Sequence, residues 1–410
     1  MRRQRGLIRL IGLAALVGVA FVARPAVAAV TTEQSASILI FPKVIADGAR
    51  DTIIQITNTS NSMRHAHCFY VNGAPTIPGQ PPGGFICKGG ALNGLSCNPR
   101  VAGICGDNAV CEQVNPPLCT EIDFDIWLTK QQPTHWVVST GRLYPSFENT
   151  CRVGNCDTTS GPAGGHPCCD AGLDPGRVPP VVPGFTGELK CIEVDAGGAP
   201  LPGNSLKGEA TLEEIATGDV SKYNAIGLKG LNPNNMDNVL CLGHGGGANC
   251  PGGPEYEGCP ATWILDHNAV GADDLVVGEG SSVGANLTVV PCTENFELQS
   301  TPAVTLQFSI TNEFEQTFSA STTLTCWASL NLETINPIFQ AKNLQGSVVQ
   351  TRMRAAASTP VGVTAVIEET HTVGAVTARS AQNGHTTLVT PSQEPADIIT
   401  IPAEQLNSNP

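Results

Sequence analysis

Val304-Thr305-Leu306-Gln307-Phe308-Ser309-Ile310-Thr311 alternates apolar and polar residues without a break. A period of two puts Val304, Leu306, Phe308 and Ile310 on one face of a strand and the polar set on the other. The pattern resumes over residues 324–332, where Leu324, Cys326, Ala328, Leu330 and Leu332 interleave with Thr325, Trp327, Ser329 and Asn331. Neighbouring runs of this kind predict two antiparallel strands on a sheet with one buried and one wetted face.

Working outward, more runs read as strands: Ile38-Leu39-Ile40-Phe41, residues 52–57, residues 65–71, and Ile122, Phe124, Ile126 and Leu128 alternating with Asp123, Asp125, Trp127 and Thr129. Further strands are predicted at 135–139, 187–194, 262–265, 286–290, 348–353 and 363–367. Residues 210–216, Ala-Thr-Leu-Glu-Glu-Ile-Ala, read as the one helical turn. Polar turns at Asp47-Gly48, 58–62 and Asn72-Gly73 separate the first three strands.

Strand, polar turn, strand at this spacing resembles the opening of bacterial secreted Ig-like β-sandwich proteins that carry Cys/Gly-rich insertions. The resemblance covers about 40 residues and implies an architecture, not an activity. The expected fold is an all-β antiparallel sandwich, Ig-like or jelly-roll-like, over residues 29–385. One continuous decorated body is expected; the alternative is two sandwiches with a boundary near 295–302. Residues 386–410 read as an extended tail.

The first residues have the form of an export signal. Arg2, Arg3, Arg5 and Arg9 precede an apolar run over 10–23, and Ala26-Val27-Ala28 offers a small-residue cleavage site. Residues 1–28 are expected to be removed, leaving no transmembrane anchor, since no later stretch reaches about 18 apolar residues. Removal takes five arginines and leaves 17 basic against 36 acidic side chains, a formal charge of −19. Nucleic acid is excluded as a partner because it needs a basic footprint.

The 16 cysteines lie at positions 68, 87, 97, 105, 111, 119, 151, 156, 168, 169, 191, 241, 250, 259, 292 and 326. All follow the signal, none forms a Cys-x-x-Cys motif, and the count is even, so Cys68, Cys87, Cys97, Cys105, Cys111, Cys119, Cys151, Cys156, Cys168, Cys169, Cys191, Cys241, Cys250, Cys259, Cys292 and Cys326 are all disulfide candidates. Many fall in Gly- and Pro-rich insertions at 74–119, 144–184 and 241–259. Segments so poor in large apolar residues form no core of their own and need cross-links.

Few constellations point to chemistry. His65 and His67 share one strand face, a geometry that can hold a transition metal. Asp266, Asn268 and Asp273 faintly resemble a calcium loop, although Val270 and Val277 stand where ligands belong, so a structural Ca²⁺ is the one cofactor suggested. Gly280-Ser281-Ser282-Val283-Gly284 matches a nucleophile elbow, but a β-prone run follows it where a helix is required. Asp123 and Asp125 beside Trp127 form an acid–aromatic face able to stack a sugar. The leading expectation is an exported structural or binding module without catalysis, bound to an extracellular glycan or protein, at the bacterial surface, in the periplasm or outside. The alternatives are a secreted glycan hydrolase and a Ca²⁺-stabilised adhesin.

Overall fold

The computed structural model describes residues 34–73, 84–90, 106–114, 119–142, 176–232, 237–243, 250, 252–356, 361–386 and 395–402. The expected signal at 1–28 lies outside them. So do most of the insertion at 144–184, parts of those at 74–119 and 241–259, and Cys97, Cys105, Cys151, Cys156, Cys168 and Cys169.

The described chain is 60 % strand and 4 % helix. Sheet I runs, in hydrogen-bonding order, Ile226–Leu228, Ile38–Ala46, Phe185–Val194, Arg64–Asn72 and Thr120–Leu128. Sheet II is Val220–Asn224, Leu206–Glu214, Arg50–Asn58 and Pro133–Val137. Sheet III joins Val239–Gly243, Ala396–Thr400 and Glu294–Asn295, the last pairing parallel. Sheet IV is Thr317–Thr325, Ala303–Asn312, Val348–Ala356, Thr262–Asn268 and His385–Thr386. Sheet V is Ala328–Asn331, Ser281–Pro291, Val363–Val373 and Val376–Asn383, and a ribbon pairs Gly84–Lys88 with Val110–Val114.

This corrects the expected sandwich. Five sheets stand where an Ig-like or jelly-roll sandwich has two, and their disposition as a ring of five blades suggests a β-propeller instead. The physical reason lies in sheet I. Every residue of Ile38–Ala46 is buried, and Phe185–Val194 and Arg64–Asn72 are buried almost throughout. A sheet apolar on both faces needs covering on both sides. Leu39, Phe41, Cys68 and Tyr70 pack with Ile54, Ile56 and Trp136 of sheet II. On the opposite face Ile38, Ile40, Phe69 and Ile192 join one core with Leu240, Ile399, Leu287, Leu306 and Phe308 of the other three sheets. That core draws on both sides of residues 295–302.

The strand at 304–311 forms as expected, with Val304, Leu306, Phe308 and Ile310 buried and Gln307 and Ser309 exposed. Its partner differs. Ala303–Asn312 pairs with Thr317–Thr325 in a hairpin, whereas the 324–332 run is broken. Cys326 takes a left-handed φ of 68°, Ala328–Asn331 leaves for sheet V, and Leu332 opens a one-turn helix, Leu332–Ile335.

The helical turn predicted at 210–216 is instead strand Leu206–Glu214 as far as Glu214. Ala210 and Leu212 point into the core, and ladders on both sides override the helix propensity of Ala, Leu and Glu. The tail carries Ala396–Thr400, the middle strand of sheet III, with Asp397 and Ile399 buried. One glycine is dictated by contact: a Cβ on Gly187 would lie 1.9 Å from the Val71 carbonyl oxygen.

Disulfides fasten this body. Cys68 and Cys191 face each other across adjacent strands of sheet I and are bridged, and Cys119–Cys326 ties the start of Thr120–Leu128 to the chain just after Thr317–Thr325. Cys241–Cys250 closes a short loop at sheet III, and Cys259–Cys292 joins the chain before sheet IV to the end of Ser281–Pro291. Cys87 is also disulfide-bonded, and among the described residues no cysteine is free.

Candidate functional site

Strand register brings the predicted histidines and carboxylates together. Arg64–Asn72 and Thr120–Leu128 pair antiparallel with His65 opposite Trp127 and His67 opposite Asp125. The His65 ring stacks on Trp127 at 3.7 Å and 6° between planes. Its Nε2 lies 2.8 Å from Asp125 Oδ1 and its Nδ1 2.8 Å from the Asp195 carbonyl. His67 Nε2 sits 3.3 Å from Asp123 Oδ2. Both rings are buried and the two carboxylates half-exposed.

Burial alone would raise the Asp125 carboxyl; the His65 hydrogen bond and the charges of His67 and His65 outweigh it and hold the group below the ordinary carboxylate range. For His65 and His67 as metal ligands the geometry is unhelpful. A ligand needs a lone pair directed at the ion, and both His65 nitrogens face oxygen acceptors. For sugar stacking, His65 already occupies one face of Trp127.

The calcium-loop residues do not converge. Asp266 is exposed and accepts from Gln350 at 3.0 Å, and the Asn268 amide donates to Glu369 Oε1 at 3.1 Å. Asp273 is exposed, while its neighbour Asp274 turns inward, accepting from the backbone of Val276 and Val277 and meeting His371 Nδ1 at 2.6 Å. Among the described residues, no three His, Cys, Asp or Glu side chains gather as a metal site. The Gly-x-Ser-x-Gly run opens strand Ser281–Pro291, so Ser282 sits exposed at a strand start and on no strand-to-helix elbow.

Two buried ionic clusters were invisible in the sequence. In the first, Lys190 of sheet I lies between Glu188 (3.1 Å) and Glu294 of sheet III, all fully or almost fully buried. Lys190 also donates to the Pro291 carbonyl at 3.3 Å and stands 5.8 Å over the Phe296 ring. Burial pushes Glu188 up to about 8, with Glu294 adding to the rise and Lys190 opposing it. Nearby Asp397, also buried, is raised to about 6 against hydrogen bonds from Thr293 and the Gly362 backbone.

In the second cluster, Glu368 of sheet V accepts from Lys43 of sheet I at 2.8 Å, from both terminal nitrogens of Arg50 of sheet II, and from Ser221 Oγ at 2.9 Å. Burial would raise Glu368, yet the charges of Lys43 and Arg50 and their hydrogen bonds bring it down to about 2. One carboxylate thus sits where three sheets meet. The signal that could have found these clusters, charged residues inside apolar strands (Lys43, Glu188, Lys190), names candidates but no partners.

An open cavity of about 300 Å³ lies on the outer side of sheet II, lined by Gln55, Thr57, Thr59, Lys207, Gly208, Glu209 and Asn224. Gln55 Nε2 donates to Glu209 Oε1 at 2.9 Å, and Lys222 reaches the same oxygen at 3.2 Å. The lining is polar: the side chains of Gln55, Thr57, Thr59 and Asn224 offer hydrogen bonds beside the charged Lys207 and Glu209.

No protein-family model matches the chain, and no curated protein matches it. One matching solved structure, the crystal structure of Thermotoga maritima 1070, is 7 % identical, with 32 % of this chain and 98 % of that one covered at a TM-score of 0.24.

Proposed function

We propose that this chain is an exported, disulfide-stabilised structural or binding module of the cell surface, periplasm or exterior, and that it works without catalysis. The observation that carries the reading is the set of bridges Cys68–Cys191, Cys119–Cys326, Cys241–Cys250 and Cys259–Cys292. Such bridges persist in oxidising compartments. The Arg-rich, apolar start of the sequence agrees, as does the absence, among the described residues, of any helix long and apolar enough to cross a membrane. The body is one five-bladed scaffold, and its partner is an extracellular glycan or protein, with the polar cavity of sheet II as the docking point for a glycan.

Expression with the native leader, followed by fractionation and N-terminal sequencing, tests the location. The reading predicts a product outside the cytoplasm that begins after Ala28 and has no titratable thiol. A cytoplasmic product with intact residues 1–28 and free thiols would overturn it. The hydrolase alternative is tested by turnover of soluble polysaccharides. Activity lost on replacing Asp123, Asp125 and Trp127 by alanine would establish it in place of the present reading.

A further inference from the structure

The Lys43 side chain is 2 % exposed and its Nζ touches two groups: Glu368 Oε2 at 2.8 Å and the side-chain amide oxygen Asn286 Oδ1 at 2.7 Å. Asn286 and Glu368 are directly opposed residues of neighbouring strands in sheet V, so the pleat sends both side chains to the same face. Amine, amide and carboxylate therefore meet at one point between sheets I and V. We propose that Lys43 and Asn286 join in an intramolecular isopeptide bond, with Glu368 carrying the proton between them.

Each part of the reaction has a residue. Lys43 is the nucleophile: burial pulls its amine below the ordinary lysine range, although Glu368 opposes the shift. Its backbone is clamped by Tyr223, whose hydroxyl donates to the Lys43 carbonyl at 2.6 Å and accepts from the Lys43 N–H at 3.1 Å. The Asn286 Oδ1, where negative charge builds as Cγ becomes tetrahedral, accepts from Ser329 Oγ at 2.6 Å, an oxyanion donor already in place. The leaving nitrogen, Nδ2, is held by Asn331 Oδ1 at 3.1 Å. Held geometry replaces a bimolecular encounter with a unimolecular one, which is the main contribution such a site needs to make.

The balance closes with no added reagent. The Lys43 ammonium gives a proton to Glu368 and the neutral amine attacks Asn286 Cγ. The Nζ–Cγ bond forms and the Cγ–Nδ2 bond breaks. The two protons released from Nζ pass by way of Glu368 to Nδ2, one as the Cγ–Nδ2 bond breaks to give ammonia and the second to that ammonia, which leaves as ammonium while the carboxylate is regenerated.

The electrostatics favour the product. Before reaction, two cations, Lys43 and Arg50, share one buried carboxylate, with Arg379 close enough to act on Lys43 as well. Amide formation discharges Lys43 and leaves Arg50 and Glu368 as a balanced pair. The bond would link positions 243 residues apart in sequence, restraining the unfolded chain as a long-loop disulfide does. Among the described residues no side-chain amide meets the Lys190 amine, and its carboxylates are poor acyl donors without activation. The inference is independent of where the protein resides.

Intact mass spectrometry of the purified protein, fully reduced and with its N-terminus determined, reads the bond directly. The expected mass is about 17 Da below that of the sequence, the loss of one ammonia. A tryptic digest should contain a single branched species joining the peptides of Lys43 and Asn286, and N286A should restore the full mass. A full-mass wild type with both peptides separate overturns the proposal. So does a 17 Da deficit without the branched species, or one that survives in N286A. The wild-type readings decide the matter even if the variant does not fold.

Discussion

The two buried ionic clusters use the same residue types with opposite balance. Around Lys190 one cation serves two carboxylates; around Glu368 one carboxylate serves two cations. The first leaves a surplus acid that burial turns into a proton-holding group, and the second leaves a surplus cation that keeps its acid ionised. Buried charge is retained only where each ion has a partner, so the count of partners, and not burial alone, sets the direction in which each carboxyl moves.

The largest effect should come from removing the shared ion of either cluster. Lys190→Met strands Glu188 and Glu294, and Glu368→Gln strands Lys43 and Arg50; each should cost about 3–5 kcal/mol in denaturant unfolding. Removing the surplus ion instead should not. Glu188→Gln is expected to be neutral or stabilising at pH 8, and a loss as large as that of Lys190→Met would break the comparison.

Disulfide contributions should scale with the loops they close. Replacing Cys119 and Cys326, 207 residues apart, should cost about 5 kcal/mol, against about 2.5 kcal/mol for Cys241 and Cys250, 9 residues apart. Equal midpoints for the two double variants would show that native-state packing, and not loop closure, governs these bridges.

The clusters should also respond to pH with opposite sign. Glu188 binds its proton more tightly folded than unfolded, so its contribution is complete below the ordinary 4.5 and is lost as pH rises through about 8. Glu368 is the reverse: its contribution, about 3 kcal/mol, is present above 4.5 and lost as pH falls toward 2. Urea midpoints across pH for the wild type, Glu188→Gln and Glu368→Gln should show the alkaline loss flattened in the first variant and the acid loss in the second. The smallest effect is expected at the His65–Trp127 stack, where His65→Ala should cost about 1–2 kcal/mol and leave the pH profile of both clusters unchanged.

How much of this was legible follows from where each signal resides. Residues 304–311 announced themselves because sheet IV buries one face and wets the other. Their partner, Thr317–Thr325, is fainter: Phe318, Ala320 and Leu324 alternate with Ser and Thr, but only Leu324 is buried, so the contrast between its faces is weak. The run Ile38-Leu39-Ile40-Phe41 reads as an apolar strand, but its extension to Ala46, its burial on both faces, and with them the five-sheet arrangement, are properties of partners and not of a run. His65 and His67, and separately Asp123, Asp125 and Trp127, were picked out by alternation; that Asp125 meets His65 across 60 positions depends on register. The Glu368 site is less legible still, since Lys43, Arg50, Ser221, Asn286 and Ser329 come from five strands and three sheets.

The central claim is that cross-linked sulfurs hold a many-sheeted β body together, and mapping the bridges in the native protein tests it most directly. Proteolysis without reduction, followed by mass spectrometry, should return the pairs Cys68–Cys191, Cys119–Cys326, Cys241–Cys250 and Cys259–Cys292. Recovery of these cysteines as free thiols, or joined in other pairs, would contradict it.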